Sequence, residues 1–386
     1  MFRPAVFAAL AAVAAVGAGA AHAEPPTHVV GYVYVNDNTS PVNTVAGYER
    51  LSDGTLTPIP GSPFTVGGSG TGHADASQGS LQLSQDNHFL LAVDAGSNQI
   101  SVARIQHDGT LTPANGSPFS SNGAQPVSIA VSHDRVFVAN AGAANTNYTG
   151  FKLDGNGNLR PLPGSTYPLP SNSQPGDIFF NNDGHKLVGT RVATSEIDSF
   201  TVSGDGQLTV APGSPYSAQA FSPAQGWGQL GSEFSPNHPD ELFVSDAHTA
   251  AGSPAPGLVS SFSVDPSGAL TPVGAPVPND GKASCWVEIT HDGRYMFVVN
   301  TASATISSYA IGDHGALTFL QSTGSGQIGA GAEDARLSPD GKTLWVVESG
   351  TDAVTGFTVD GGTLTPLTAA NGPTGATPSG IVVPNP

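Results

Sequence analysis

Short apolar runs alternate with polar turns along most of the chain, and no segment keeps the 3.6-residue period of a long helix. Residues 296–300 (MFVVN) form an apolar run of strand length, and residues 306–309 (ISSY) alternate as a half-buried strand does. Turn sequences such as PDG at residues 339–341 separate neighbouring runs. The pattern therefore predicts an all-β chain built from antiparallel hairpins.

A turn-and-strand phrase, clearest as DGTL at residues 53–56 and 108–111, recurs along the chain. Its glycines are Gly54, Gly109, Gly157, Gly206, Gly268, Gly315 and Gly362. They are spaced by about 47 to 62 residues, as propeller blades are. Each repeat predicts four strands, lettered A to D from the axis outwards. The sequence thus predicts one domain, residues 24–386, folded as a seven-bladed β-propeller.

The two ends of the chain predict how the ring closes. Residues 31–36 (GYVYVN) match strand B of the other repeats, so the first blade lacks an inner strand of its own. Residues 378–383 (PSGIVV) match residues 126–131 (PVSIAV), which form a predicted strand A. We therefore expect the C-terminal segment to supply the inner strand of blade 1, which would remove the free sheet edges.

The N-terminal sequence and the composition add predictions about export and about binding partners. Arg3, an apolar run at residues 5–20 and AHA at residues 21–23 predict a signal peptide over residues 1–23, hence a secreted or periplasmic protein. Thirty acidic residues against twelve basic ones give a formal charge of −18, which opposes binding to nucleic acid or to anionic membranes. With one cysteine, Cys285, no internal disulfide forms. We expect a monomer without a membrane span.

Polar side chains gather where strands B end and strands A start, on what we call the mouth face. The strand B ends are Asn36, Asp94, Asn140, Arg191, Asp246, Asn300 and Glu348. The strand A starts add Asp177, Glu233, Cys285, Trp286, Glu333 and Asp334. Asparagine and aspartate at a strand end also simply begin turns. Arg191 and Glu348 are poor turn residues, so their positions are more informative.

These residues predict an acidic mouth with one guanidinium, suited to acid–base chemistry because closely spaced carboxylates push one pKa upward. The candidate catalytic residues are Arg191, Glu333, Asp334 and Glu348. The candidate ligand-binding residues are Asp94, Asp177, Asp246, Trp286 and His73. Asp177 is expected near Arg191. Trp227 and Trp286 would either stack on a sugar or lactone ring or serve to fill the core and anchor a loop.

The repeat phrase, with SPDGK before an apolar strand and DGTLTP after the next, resembles the seven-bladed lactonase family, which includes propeller-type 6-phosphogluconolactonases and carboxymuconate-lactonising enzymes. The resemblance covers the whole mature chain and implies lactone hydrolysis or isomerisation. It matches the family's arginine to Arg191 and its glutamate to Asp334. The histidines that the family carries at strand A starts are absent at residues 125–127 and 285–286.

Three functions stay open at this point. The first is a lactone hydrolase, with Arg191 polarising the substrate and a carboxylate among Asp177, Glu333, Asp334 and Glu348 as general base. The second is a non-catalytic propeller that binds a ligand or a protein outside the cytoplasm. In the third, which is compatible with either, the acidic mouth holds a hard cation such as calcium; no other cofactor is expected.

Overall fold

A computed structural model describes Met1 and residues 26–73, 77–218, 228–248, 254–324, 326–367, 372–373 and 377–386. Apart from Met1, the predicted signal peptide lies outside these residues, and so does Trp227. The described residues form seven antiparallel sheets and one short 3-10 helix, Asp313–Gly315. In this part of the chain no helix is long and apolar enough to cross a membrane.

Each sheet is one blade, with its strands in the order A, B, C, D from the axis outwards. The A strands of blades 1 to 7 are Gly380–Val382, Leu81–Leu83, Pro126–Ser132, Pro175–Phe180, Gln229–Phe234, Ser284–Ile289 and Ala332–Leu337. The B strands are Val29–Asn36, Phe89–Asp94, Arg135–Asn140, Lys186–Arg191, Glu241–His248, Tyr295–Asn300 and Thr343–Glu348. The predicted four-stranded repeat is therefore confirmed.

In six of the seven blades the outer edge consists of two separate strands instead of one continuous strand. The C strands are Thr44–Leu51, Gln99–Ile105, Asn147–Leu153, Glu196–Val202, Pro254–Val264, Thr305–Ile311 and Ala353–Asp360. The D strands are Leu56–Pro58, Leu111–Pro113, Leu159–Pro161, Leu208–Val210, Leu270–Pro272, Leu317–Ser322 and Thr363–Pro366. Six blades carry a second short piece on the edge of strand C: Phe64–Thr65, Phe119–Ser120, Tyr167–Pro168, Tyr216–Ser217, Val277–Lys282 and Gly372–Pro373.

Ring closure follows the sequence prediction. Strand A of blade 1 comes from the C-terminal end of the chain and pairs antiparallel with strand B, placing Gly380 opposite Asn36 and Val382 opposite Tyr34. Ile381 is fully buried in a cluster that also contains Trp345 of blade 7. The last strand thus joins blade 1 to blade 7 by backbone hydrogen bonds on one side and apolar packing on the other.

The core lies between the blades. Residues of strand B such as Leu91, Phe137 and Val298 are fully buried, because each sheet is covered on both faces by its neighbours. This explains why strand B reads as a continuous apolar run whereas strand C alternates. Burying one such side chain contributes about 1.5–3 kcal/mol, so the stability of the ring is spread over seven interfaces.

The turns between strands C and D need a residue in the left-handed region. Gly54 has φ = 85° and Gly109 has φ = 77°, conformations that only glycine adopts readily. In blade 7 the positive φ falls on Gly361, one residue before the predicted position Gly362. The turns between A and B and between C and D share one face, the turn face, opposite the mouth face.

Strand A of blades 3 to 7 begins with a β-bulge. Its pairing with strand B skips a residue or more between Pro175 and Asp177, between Ser284 and Trp286, and between Ala332 and Ala335, for example. A bulge re-aims the side chains beside it. The candidate residues Asp177, Trp286, Glu333 and Asp334 all lie at these bulges, so the local backbone sets where they point.

Candidate functional site

The polar side chains at the seven strand B ends are buried inside their own blades. In six blades the residue seven positions later, on strand C or directly before it, faces the strand B end: Asn36 with Asn43, Asp94 with Ser101, Asn140 with Asn147, Arg191 with Asp198, Asn300 with Ser307, and Glu348 with Thr355. In blade 5, which has a longer connection, Asp246 accepts from Ser260 at 2.8 Å. A repeated cross-strand hydrogen bond therefore holds every hairpin between strands B and C.

Linkers from one blade to the next cover several of these pairs. A Cβ placed on Gly68 would lie 2.2 Å from the Asp94 carboxylate, and one on Gly329 would lie 2.0 Å from Glu348 Oε2. The same close approach occurs over Asn140 and Asn300, from Gly123 and Gly281. The glycines let the backbone lie directly on the polar side chain, which removes it from the solvent.

Arg191 is engaged on all three guanidinium nitrogens. Its Nε and Nη2 donate to Asp198 at 2.6 and 2.5 Å, and its Nη1 donates to Glu196 at 2.9 Å. Tyr148 of blade 3 also donates to Asp198, at 3.0 Å. The sequence predicts Arg191 near Asp177. The structure instead pairs Arg191 with the strand C carboxylates of its own hairpin.

Asp94 and Asp246 are held in similar ways. Asp94 accepts from Asn43 at 2.9 Å and from Ser101 at 2.7 Å, and Asp246 accepts from Gln229 at 2.9 Å as well as from Ser260. Burial raises the pKa of Asp94 to about 6 and that of Asp246 to about 7. Both groups therefore exchange protons near neutral pH although their oxygens already accept hydrogen bonds, in Asp94 partly from Asn43 of blade 1.

Side chains of the inner strands link each blade to the next around the axis. A backbone N–H of one inner strand donates to an acceptor on the preceding one: Ile178 to Ser128, Ser232 to Asp177, Ile289 to Glu233, and Leu337 to Glu288. Ile381 of blade 1 donates in the same way to Asp334 of blade 7. Four carboxylates near the axis thus accept the inner-strand N–H groups that no neighbouring strand pairs with.

Asp177 accepts three hydrogen bonds from the neighbouring inner strands. Its Oδ1 accepts from the Ser128 hydroxyl at 3.0 Å, and its Oδ2 accepts from the Ser232 hydroxyl at 2.7 Å and from the Ser232 N–H at 2.9 Å. Burial raises its pKa to about 7. The group could accept a proton at neutral pH, which is what a general base requires, but its oxygens are already used between blades 3, 4 and 5.

A second arginine, Arg336, lies among the remaining carboxylates of the channel. Its Nη1 is 3.0 Å from Glu288 and 3.6 Å from Asp334. Burial raises the pKa of Asp334, Glu288 and, most strongly, Glu233. The carboxylates outnumber the guanidinium, and their burial favours the protonated form. Glu333, beside Asp334, is 3% exposed.

Residues 77–79 cross the channel and form what we call the plug. Gln78 donates from its N–H to Gly176 of blade 4 and from Nε2 to Ser232 of blade 5, and its Oε1 accepts from Val287 of blade 6, all within 3.0 Å. Gly79 accepts from Ile129 of blade 3 and donates to Asp334 of blade 7. A segment that reaches the inner strands of five blades lies on the axis, so the plug occupies the mouth of the channel.

The plug also engages Trp286, whose indole N–H donates to the Ser77 carbonyl at 2.6 Å while the ring is 3% exposed. Cys285 next to it is buried, and burial raises its pKa to about 12, which keeps it a thiol. His73 is exposed, and its backbone carbonyl accepts from Asn38 of blade 1. The structure therefore brings Trp286, Asp177 and Asp334 around the plug, and places Arg191, Glu348, Asp94 and Asp246 at the hairpins between strands B and C.

The sequence analysis missed the plug and Arg336. Arg336 follows Asp334 by two residues, a spacing that points both side chains to the same side of a strand and was a usable signal. The plug carries no comparable signal, since SQG at residues 77–79 reads as an ordinary linker. Within the described ranges, no group of three or more His, Cys, Asp or Glu side chains is arranged to hold a metal ion.

Comparison with known proteins agrees with this architecture. The family model described as "Lactonase, 7-bladed beta-propeller" matches residues 28–171 and 237–383, which is well over half of the chain. No curated protein sequence matches the chain.

Solved structures with the same fold cover 92% of this chain. They include a protein from Lactobacillus plantarum (20% identity, 99% of its length, TM-score 0.71). A candidate 6-phosphogluconolactonase from Bacteroides fragilis (18%, 98%, 0.69) and the periplasmic gluconolactonase of Pseudomonas aeruginosa (17%, 99%, 0.69) also match. At these identities the structures show the shared fold alone. By its fold and by the family model, the chain belongs to the seven-bladed β-propeller lactonase family.

Proposed function

We propose that this protein is an exported propeller of the lactonase family that binds a ligand or a protein partner without catalysing a reaction at its channel mouth. The observation that carries the proposal is the plug, residues 77–79. Hydrogen bonds to five blades hold the plug at the place where a substrate would have to meet the inner-strand carboxylates. A segment held by so many bonds is part of the folded ring.

The state of the candidate catalytic side chains supports the same proposal. Arg191 is 5% exposed and bonded to two carboxylates, and Glu348 is 3% exposed and accepts from Thr351 and Thr355. An electrophilic arginine must have donors free for the substrate. The guanidinium of Arg191 is already neutralised by its own hairpin, so its role in this proposal is to hold the blade.

Lactone hydrolysis is the second candidate, favoured by family membership and by Asp177. Burial gives this carboxyl a pKa of about 7, which suits a general base at neutral pH. Activity would require the plug and the Ser232 hydroxyl to move away so that a lactone and a water molecule reach Asp177. Arg191 would then polarise the ring carbonyl, at the expense of a bond to Asp198 or Glu196.

The two candidates are separated by measuring proton release from unphosphorylated sugar lactones and aryl lactones with purified mature protein. We expect no turnover above the spontaneous rate. Saturable hydrolysis that Asp177→Asn abolishes, while the variant keeps the wild-type circular dichroism spectrum, would establish a hydrolase instead. Asp134→Asn is the matched control, because Asp134 lies on an exposed turn of blade 3, on the opposite face.

A plug variant makes the test sharper. Gln78→Ala removes the two hydrogen bonds of the side chain and is expected to cost about 1–3 kcal/mol of stability. Under the proposal this variant is also inactive on every lactone. Hydrolysis that appears only in Gln78→Ala would instead mean that the plug blocks a working site.

Export rests on the composition of residues 1–23, and the periplasmic gluconolactonase among the similar structures is compatible with it. Expressed from its full-length gene in a bacterial host, the protein should reach the periplasm or the medium with Glu24 as its first residue. N-terminal sequencing checks this. A chain that stays in the cytoplasm with residues 2–23 attached would contradict it.

A further inference from the structure

A cavity of about 350 Å³ opens on the turn face between blade 1 and blade 7, at the interface where the ring closes. Blade 1 contributes Arg50 and Asp53, and blade 7 contributes Asp340 and Lys342. Leu367 and the buried Trp345 supply an apolar wall. The volume is at the lower end of what small-molecule sites use, so the cavity suits a small ligand.

Arg50 distinguishes this cavity. Its side chain is 6% exposed; Nη2 donates to the Val30 carbonyl at 3.1 Å, and Nε has no hydrogen-bond partner. None of the ion pairs among the described residues includes Arg50, whereas the buried Arg191 and Arg336 each contact two carboxylates. Burial lowers the pKa of Arg50, as expected for a cation short of acceptors.

The cavity lining carries two carboxylates, Asp340 and Asp53, against the two cations Arg50 and Lys342. Asp340 uses Oδ1 to accept from the Ser338 hydroxyl and the Lys342 N–H, and Asp53 accepts from the Thr55 N–H, so both are partly committed to their own turns. Lys342 is exposed at the rim and adds a second positive charge. The cavity thus combines a buried guanidinium, an exposed ammonium and an apolar wall.

An equivalent cavity between blades 2 and 3 provides an internal comparison. It measures about 270 Å³ and lies between the same two kinds of turn. Its described lining contains Asp86, Asp134 and Asp154 with neither lysine nor arginine. Grooves between turns are therefore a consequence of propeller geometry, while a lining that includes both an arginine and a lysine distinguishes the blade 7–blade 1 cavity from the blade 2–blade 3 cavity.

From these observations we propose that the cavity between blades 1 and 7 binds a small monocarboxylate with a flat apolar body, held by Arg50 and Lys342. A guanidinium binds a carboxylate through paired N–H donors, and the apolar part would lie against Leu367 and Trp345. Since Asp53 and Asp340 balance the two cations, the lining has no formal net charge, which favours a singly charged anion over phosphates and other multiply charged anions. Because the ligand would contact both blades, binding would also strengthen ring closure. The site is independent of the channel mouth.

The experiment is a calorimetric titration of the mature protein with benzoate and with benzamide, which has the same shape without the charge. We expect benzoate to bind with a Kd of about 1 mM or tighter and benzamide to bind at least roughly tenfold more weakly. Saturating benzoate should also raise the unfolding temperature, because it binds only the folded ring. Equal affinities for the two compounds, or no binding of benzoate at roughly 20 mM, would overturn the proposal.

Three variants locate the site. Arg50→Gln should abolish benzoate binding, and Lys342→Gln should weaken it by roughly threefold, as loss of an exposed charge does. Since Arg50→Gln could disturb the fold, Thr358→Trp offers a second route: Thr358 is exposed on strand C of blade 7 and lines the cavity, so a large side chain there fills it. Lys152→Gln, on the exposed surface of blade 3, is the control and should leave the Kd unchanged. Binding that Lys342→Gln and Thr358→Trp both leave intact would place benzoate elsewhere.

Discussion

Two buried arginines, one in blade 4 and one in the channel, are neutralised in different ways. Arg191 contacts Asp198 and Glu196, both on the strand that follows it in the same hairpin. Arg336 contacts Glu288 of blade 6 and Asp334 of its own strand. The first cluster is complete within one hairpin, whereas the second exists only when separate blades meet at the axis.

The difference lies in the charge balance. The channel places Asp177, Glu233, Glu288 and Asp334 around the single guanidinium of Arg336, and burial raises the pKa of all four. These carboxylates persist because they accept the N–H groups of the neighbouring inner strands, which are costly to leave unpaired. In the channel, the hydrogen bonds of the inner-strand N–H groups are satisfied at the cost of an excess of buried negative charge. In the blade 4 cluster, both the charges and the hydrogen bonds are satisfied.

The largest expected effect is that of Arg336→Met. The change leaves the channel carboxylates without their cation, and breaking a buried ion pair in this way costs about 3–5 kcal/mol. The loss should be measured at pH 8 by urea-induced unfolding and should shrink at pH 5, where the carboxylates take up protons. Lys152→Met, which breaks an exposed pair with Asp134, should cost less than about 1 kcal/mol. An equal loss at both pH values would mean that Arg336 acts through packing alone.

The next effect is the pH dependence of the unmodified protein. Burial raises the pKa of Asp177 and Asp246 to about 7 and that of Asp94 to about 6, above the value of roughly 4 in the unfolded chain. Such groups stabilise the fold fully below the unfolded pKa, and this contribution is lost as the pH rises through the folded pKa. We expect the free energy of unfolding to fall by about 2 kcal/mol or more between pH 5 and pH 8.

Turn aspartates have the opposite effect and lower the free energy of unfolding at low pH. The hydroxyl and the N–H of Thr110, for example, lower the pKa of Asp108, so its contribution is lost as the pH falls through the lowered value. Unfolding curves from pH 3 to pH 9 should therefore show maximal stability on the acidic side of neutrality. A maximum at pH 8 would contradict the excess of carboxyl groups proposed for the channel and for strand B.

The smallest expected effect comes from one pair of matched substitutions. Glu233→Gln keeps an oxygen that can accept from Ile289 and removes the carboxyl whose pKa burial raises most, so stability at pH 8 should rise by about 1 kcal/mol. Glu196→Gln removes a carboxylate from Arg191 and should lower stability by about 1 kcal/mol. Effects of the same sign at both sites would remove the distinction between the two clusters.

Most of the fold follows from local signals in the sequence. Hairpins depend on turn residues such as Gly54 and Gly109, and the seven repeats each carry the same turns and the same apolar strand B. Closure by residues 380–382 was predictable because that segment repeats the pattern of strand A while residues 29–36 repeat strand B. The hairpin contacts of the strand B ends, such as Asp94 with Ser101, also lie only seven residues apart.

The contacts at the propeller axis, by contrast, depend on the tertiary structure. The acceptors of the inner-strand N–H groups lie 49 to 56 residues before their donors, for Leu337, Ser232 and Ile289, and Gln78 reaches partners 154 and 209 residues away. The chain by itself determined seven blades and the polar residues within each hairpin, because turn chemistry and hydrophobic period act over a few residues. Only the closed ring decided that residues 77–79 fill the channel and that four carboxylates share one arginine, since these contacts exist only where all blades converge.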